Sequence, residues 1–248
     1  MRSSTAGLLI WGVALLAVPA VLTGRVSADA VPYIAASAVL ELCYFVLLAR
    51  AYEGGEVSVI YPIARGSAPV VVLVVSAIAL REGVPAGAVV GIIAVVVGVL
   101  LVGLVELRTE AGTKFDLPRR DVWFGLAIGL VIASYTLIDS EGVERADPIA
   151  YLALVIAPSA LIYPAVAKVR PDVGARTALT ATATFGAFLM VLAAFRLAPA
   201  APVAAVRESS VVIAAILAAA VLHERVDAKR LAGAVAVAAG VAAIALAG

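Results

Sequence analysis

Nine stretches of about twenty residues, each nearly free of charge, succeed one another along this chain: 6–23, 31–50, 57–80, 84–105, 121–139, 148–167, 177–196, 200–222 and 228–247. A bilayer's hydrocarbon core is about 30 Å thick and takes about 20 apolar residues to cross as a helix. No water satisfies the backbone there, so only helices and closed β-barrels can span it. Barrel strands alternate apolar and polar residues, whereas Val70–Leu80 and Ala234–Leu246 are apolar on every face. The runs therefore predict an all-α fold, a polytopic membrane bundle of nine transmembrane helices. Composition agrees: 64% of the residues are hydrophobic and 14% charged, against about 45–50% and about 25% in soluble domains. A water-soluble chain of this length has no interior large enough for so much apolar surface. That excludes a soluble enzyme, a secreted domain and a disordered segment.

The polar residues narrow the function further. Lys and Arg number 18 against 17 Asp and Glu, a formal net charge of +1, so no basic field exists for nucleic acid. Cys43 is the one cysteine and cannot close an internal disulfide, and His223 is the one histidine. No cofactor or metal site and no catalytic residue is expected from such a set. There is no P-loop, no HExxH and no G-x-S-x-G, which argues against direct ATP drive and against an intramembrane enzyme. Punctuation fits the helices: Pro32, Pro85 and Pro148 fall in or near first turns, where proline's missing N–H costs nothing. Asp147 and Asp227 read as N-caps. One competing reading takes Met1-Arg2, the apolar run 6–22 and Val26-Ser27-Ala28 as a secretory signal with its cleavage site.

A shift of 142 residues lays one half of the chain on the other without a gap. Arg65 falls on Arg207, Ser67 on Ser209, Leu80 on Leu222, Glu82 on Glu224, Gly91 on Gly233 and Gly98 on Gly240. Matched Arg, Glu and Gly at one fixed offset are hard to obtain by chance, even in so biased a composition. Residues 1–105 form the first copy with four helices, 106–120 a polar connection, and 121–248 the second copy with five. Helix 121–139 has its counterpart upstream of Met1, so the first copy lacks its opening helix. Either the true start lies further upstream or the protein is a nine-helix variant. An odd number of helices per copy inserts the second upside down relative to the first, predicting a 4+5 inverted repeat, an architecture frequent in secondary transporters. The recurring glycines suit close helix packing, and the Glu82 and Glu224 turns read as turn-forming rather than ligand-binding.

Three passages resemble a known family. They are Tyr44-Phe45 with the stretch Ala51-Tyr52-Glu53-Gly54-Gly55-Glu56-Val57-Ser58-Val59-Ile60-Tyr61-Pro62-Ile63-Ala64-Arg65-Gly66-Ser67-Ala68-Pro69, then Tyr135-Thr136-Leu137-Ile138-Asp139 followed by Gly142-Val143, and the two glutamate turns, each leading into a glycine-bearing helix. Together they resemble the EamA-type family of the drug/metabolite transporter superfamily over essentially the whole chain. The resemblance implies a ten-helix, 5+5 inverted-repeat carrier lacking its first helix here. It also implies export or exchange of a small metabolite by alternating access, without naming the solute.

Charges within the runs mark the candidate substrate-binding residues, because an ion at the bilayer centre costs about 2.5–3.5 kcal/mol on insertion scales and usually faces a cavity or a partner. Arg65 lies eight residues into the run 57–80, about 12 Å along a helix at 1.5 Å per residue. Arg207 holds the equivalent place beside Glu208. The two arginines suit an anionic or carboxylated group; alternatively Arg207 pairs with Glu208 or another acid, or either side chain snorkels to an interface. Tyr61, one turn before Arg65, offers a hydrogen bond or a ring face. Glu41 and Tyr44 share a helix face at i and i+3, and Glu41 reads either as a proton carrier or as half of a structural salt bridge. Asp139, with Tyr135 one turn earlier, is a cavity candidate by the resemblance and equally an interfacial cap by its place beside Ser140 and Glu141. Trp11 and Trp123 read as interface anchors. Pro19, Pro69, Pro158, Pro164 and Pro202 read as kinks.

The expected setting is the lipid bilayer of the cell (inner) membrane, with a small-molecule substrate and either proton coupling or exchange; a homodimer is left open. A non-transporting membrane partner, or a truncated and inactive transporter, is the alternative from another class. With nine spans, Met1's side carries Arg2, Arg50, Arg108, Lys114, Arg119, Arg120, Lys168, Arg170, Arg176, Arg225, Lys229 and Arg230, and the other side Arg25, Arg81, Arg145 and Arg196. The positive-inside rule then puts Met1 in the cytoplasm and Gly248 outside. The ten-helix form of the family implies both of its ends in the cytoplasm, which would put residue 1 of this chain outside.

Overall fold

The computed structural model describes residues 2–51, 53, 55, 57–80, 84–110, 119–210, 213 and 228–247. Among the described residues the regular structure is helical, with one isolated β-bridge between Val26 and Ala146. In chain order the helices are α1 (Arg2–Thr23), α2 (Val31–Ala51), α3 (Val57–Val75), α4 (Ala86–Glu110), α5 (Arg119–Gly142), α6 (Pro148–Ala167), α7 (Ala175–Phe195), α8 (Ala200–Arg207) and α9 (Ala228–Ala247). Among the described residues, six helices are long and apolar enough to cross a membrane: Arg2–Leu22, Ala28–Ala51, Val59–Ile78, Arg119–Gly142, Pro148–Ala167 and Ala175–Phe195. Many of their large apolar side chains, such as Val21, Leu22, Ile78, Leu161 and Leu179, are exposed. Lipid is the solvent that makes such a surface stable.

Most helix ends fall within a few residues of the apolar runs, and the departures are local. α4 continues to Glu110 and α5 begins at Arg119, so part of the connection expected at 106–120 is helical. α3 passes into a π turn over Ser76–Leu80. The run 200–222 is helical over Ala200–Arg207, turns at Glu208 and is helical again at 209–210. The Glu82 and Glu224 turns, Lys114 and Asp227 lie outside the described residues. Asp147 does occupy the N-cap position of α6 with Pro148 next, yet its carboxylate makes no capping bond. It accepts the Arg25 N–H at 3.0 Å instead and lies 4.0 Å from Arg196. Pro148, at the first helical position, costs no hydrogen bond because that N–H has no partner within the helix in any case.

Two compact units divide the chain, and neither follows chain order. One comprises Met1–Arg50 with Ser134–Ala198, the other Ala51–Ala133 with Pro199–Gly248. Helices matched by the 142-residue shift fall in the same unit: α1 with α6 and α2 with α7 in the first, α3 with α8 and α4 with α9 in the second.

In the first unit α1 lies antiparallel to α6, because the C-terminal end of one meets the N-terminal end of the other. There Ser27 N–H donates to the Arg145 carbonyl at 3.1 Å and Asp147 N–H to the Arg25 carbonyl at 2.8 Å. At the opposite end Asp172 N–H donates to the Ser3 carbonyl at 3.0 Å, the Ser3 hydroxyl to the Arg170 carbonyl, and Trp11 Nε1 to the Val173 carbonyl at 3.1 Å. Leu9, Leu152, Ile156 and Leu192 are fully buried in this unit.

In the second unit α4 and α9 cross in close antiparallel contact at glycines. A Cβ on Gly91 would stand 2.6 Å from the Gly240 carbonyl oxygen, and one on Gly98 2.6 Å from that of Gly233. The 142-residue shift carries Gly91 to Gly233 and Gly98 to Gly240, so it exchanges these two contacts. Small residues are required because in lipid no hydrophobic drive joins helices, and close van der Waals packing supplies the attraction.

Candidate functional site

Two polar clusters lie within otherwise apolar helices, one in each unit. In the second unit, Arg65 on α3 and Arg207 at the end of α8 both address Glu208. Arg65 Nη1 stands 3.4 Å from Glu208 Oε1 and 3.5 Å from Oε2. Arg207 Nε stands 3.5 Å from Oε1. Glu208 is completely buried, whereas the side chains of Arg65 and Arg207 are 25% and 12% exposed. Tyr61 lies one turn before Arg65, its ring 5.4 Å from the guanidinium carbon, and is itself exposed. Both arginines thus pair with Glu208, and Arg65 stays partly exposed beside Tyr61.

The local backbone explains an unusual pair. On a regular helix, neighbours at i and i+1 do not face each other. At Glu208 the helix tightens into a turn, with the Glu208 N–H bonded to the Ala205 carbonyl at 3.0 Å, which lets its carboxylate approach the guanidinium of the preceding residue. The repeat counterpart of Glu208 is Gly66. A Cβ there would stand 2.9 Å from the Leu100 side chain. The two arginines thus recur in both copies while the carboxylate occurs in one.

The first unit's cluster centres on Asp139 of α5. The carboxylate accepts the Ser37 hydroxyl from α2 at 2.5 Å and the Tyr151 hydroxyl from α6 at 2.9 Å. All three residues are buried. Asp139 is thus a buried acceptor inside α5, and the interfacial-cap reading falls: the helix runs on to Gly142. Glu41, also buried, lies one turn after Ser37 on α2. Tyr44 meets Tyr135 edge to face with ring centroids 6.2 Å apart, and Tyr135 meets Phe188 the same way at 6.2 Å. Ser37 and Tyr151 are the residues that sequence reasoning missed. The signal for Ser37 was present, since positions 37, 41 and 44 share one helix face. For Tyr151 there was none, because its phenol reaches Asp139 only through the turn between α5 and α6. Among the described residues, no three His, Cys, Asp or Glu gather to hold a metal ion.

The profile of the EamA-like transporter family matches residues 120–246, just over half of the chain. This chain belongs to the EamA-like transporter family. It is an integral, multi-pass membrane protein of a transporter family. No curated protein matches it. Sixteen chains of solved structures do. One of them, described only as "Crystal structure of protein", superposes with a TM-score of 0.78 at 12% identity, covering 99% of this chain and 87% of its own. At that identity the likeness speaks for the fold alone. The EamA-matched segment contains Tyr135, Asp139, Tyr151, Arg207 and Glu208. Ser37, Glu41, Tyr44, Tyr61 and Arg65 lie before it and join it through the two clusters.

Proposed function

We propose that this protein is a secondary transporter of a small polar metabolite, working by alternating access in a nine-helix, 4+5 inverted repeat, with proton coupling or exchange as its energy source. The observation that carries the reading is the meeting of two repeat-related arginines on one buried carboxylate, inside helices that are otherwise apolar. Charges are kept within the apolar segments of membrane proteins chiefly along substrate and ion pathways. The antiparallel contacts of α1 with α6 and of α4 with α9 support the inverted repeat, since helices matched by the 142-residue shift run in opposite directions. Arg65, Arg207, Glu208 and Tyr61 form the anion-recognising part of the substrate site in this reading. Glu41, Tyr44, Tyr135 and Asp139 form a second polar part, and the membrane is the cell membrane.

The test is uptake by purified protein in liposomes, using a panel of anionic, zwitterionic and neutral metabolites. At least one solute is expected to enter, and Arg65→Gln and Arg207→Gln each to reduce its rate about tenfold or more, as loss of one charged hydrogen bond of about 1.5–3 kcal/mol implies. Unchanged uptake in both variants would remove the arginines from the site.

A further inference from the structure

Glu208 holds a place that the other copy of the repeat leaves without a carboxylate, and it holds it at a distance. Charge-assisted N–H···O pairs close to about 2.7–2.9 Å when geometry allows. Here the three N···O distances are 3.4, 3.5 and 3.5 Å. Both oxygens of Glu208 are served by a single nitrogen of Arg65, so this pair is not the two-pronged arrangement that a guanidinium and a carboxylate form at their best. Of the residues around Glu208, Arg65 is a quarter exposed and Tyr61, against its guanidinium, 38% exposed.

We propose that Arg65 and Arg207 form a seat for one small carboxylate anion, that Glu208 is its built-in occupant, and that a substrate's carboxylate displaces it. This rests on the transport reading above and names the group that the site recognises. The size and charge of the seat are those of the group now in it: one planar head group with one negative charge between two planar donors. An incoming carboxylate gains what Glu208 does not have, the freedom to approach to full hydrogen-bonding distance. Glu208, on the turn that ends α8, is the side chain whose release an anion would trigger.

Deletion and rescue tests this on the full chain in detergent, with thermal unfolding as the readout, sodium acetate as the probe and sodium chloride at equal ionic strength as the control. Glu208→Gly copies the residue of the other repeat, and Glu208→Gln keeps the shape without the charge. Both are expected to unfold below wild type. Acetate should raise the midpoint of Glu208→Gly saturably, by about 4 °C or more, and that of wild type by about 1 °C at most. Adding Arg65→Gln to Glu208→Gly should abolish the rescue. No acetate response in Glu208→Gly, an equal one in wild type, or one that survives loss of Arg65 would overturn the proposal. A larger response to inorganic phosphate than to acetate would overturn the carboxylate class. If Glu208→Gly yields no folded protein, Glu208→Gln decides by the same comparison with wild type. Failure here is separable from failure of the transport reading: uptake lost in Arg65→Gln without any acetate rescue removes only the seat, and rescue without uptake removes only transport.

Discussion

Asp139 draws two hydroxyls from two other helices into a place that water does not reach. A buried carboxylate left without donors is costly, and a hydrogen bond to a charged group contributes about 1.5–3 kcal/mol. Tyr151→Phe should therefore lower stability by about that amount, and Asp139→Asn by a similar one. Because Tyr151→Phe removes the 2.9 Å bond whose acceptor Asp139→Asn strips of its charge, the double variant should fall short of the sum by about 1 kcal/mol or more, the coupling expected of residues in contact. Unfolding of the four proteins in detergent measures it, and strict additivity would mean that the two side chains are not bonded. At this scale the sequence was half legible. Asp139, Glu41, Arg65, Arg207 and Glu208 each stood out as a polar group in an apolar run, since the cost of burying charge applies wherever the chain later folds. Ser37 did not stand out, because a serine satisfies itself easily in a helix and carries no such cost. That Arg65 would share Glu208 with Arg207 was invisible for another reason: the shared acid belongs to a residue whose repeat counterpart is a glycine.

The helices themselves were the most legible level, and the seam between α4 and α9 shows why. Gly91, Gly98, Gly233 and Gly240 stood out by spacing alone, and in the structure Gly91 faces the Gly240 carbonyl and Gly98 that of Gly233. A methyl at Gly91 would lie 2.6 Å from the Gly240 carbonyl, and one at Gly240 2.5 Å from the Gly91 carbonyl. Gly91→Ala and Gly240→Ala should each cost about 1–3 kcal/mol, the usual range for overpacking. Combined, they should cost less than their sum, because one outward shift of the helices relieves both clashes. Gly91→Ala with Gly98→Ala, seven residues or about 10 Å apart on α4, should come closer to additive. Thermal unfolding of the single and paired variants would show it, and equal coupling in the two pairs would mean that no local contact exists between Gly91 and Gly240. The break at Glu208 and the π turn over Ser76–Leu80 were not legible. Hydropathy records whether a residue tolerates lipid, not where an ion cluster or a packing demand interrupts the backbone hydrogen bonds.

For the molecule as a whole, the grouping of helices is the new element. Val26 and Ala146 pair across an antiparallel bridge although one follows α1 and the other precedes α6. Val26→Cys with Ala146→Cys, in a Cys43→Ser background, should therefore form a disulfide under mild oxidation, since paired residues on adjacent extended segments meet the Cα separation that a disulfide needs. Mass spectrometry of the oxidised protein would detect it; absence of the cross-link would break the assignment of α1 and α6 to one unit. The sequence suggests a repeat divided in chain order at 106–120, but nothing in it says that each compact unit takes pieces from both sides of that connection. By itself the sequence determined the solvent and the class of fold, lipid and helices, because the length of an apolar run and the need to bond the backbone internally are local properties. The tertiary structure alone decided which charges meet. Ser37 and Asp139 are 102 residues apart, and Arg65 and Glu208 143. Contacts across such distances depend on where the chain returns, and no local pattern of residues encodes that.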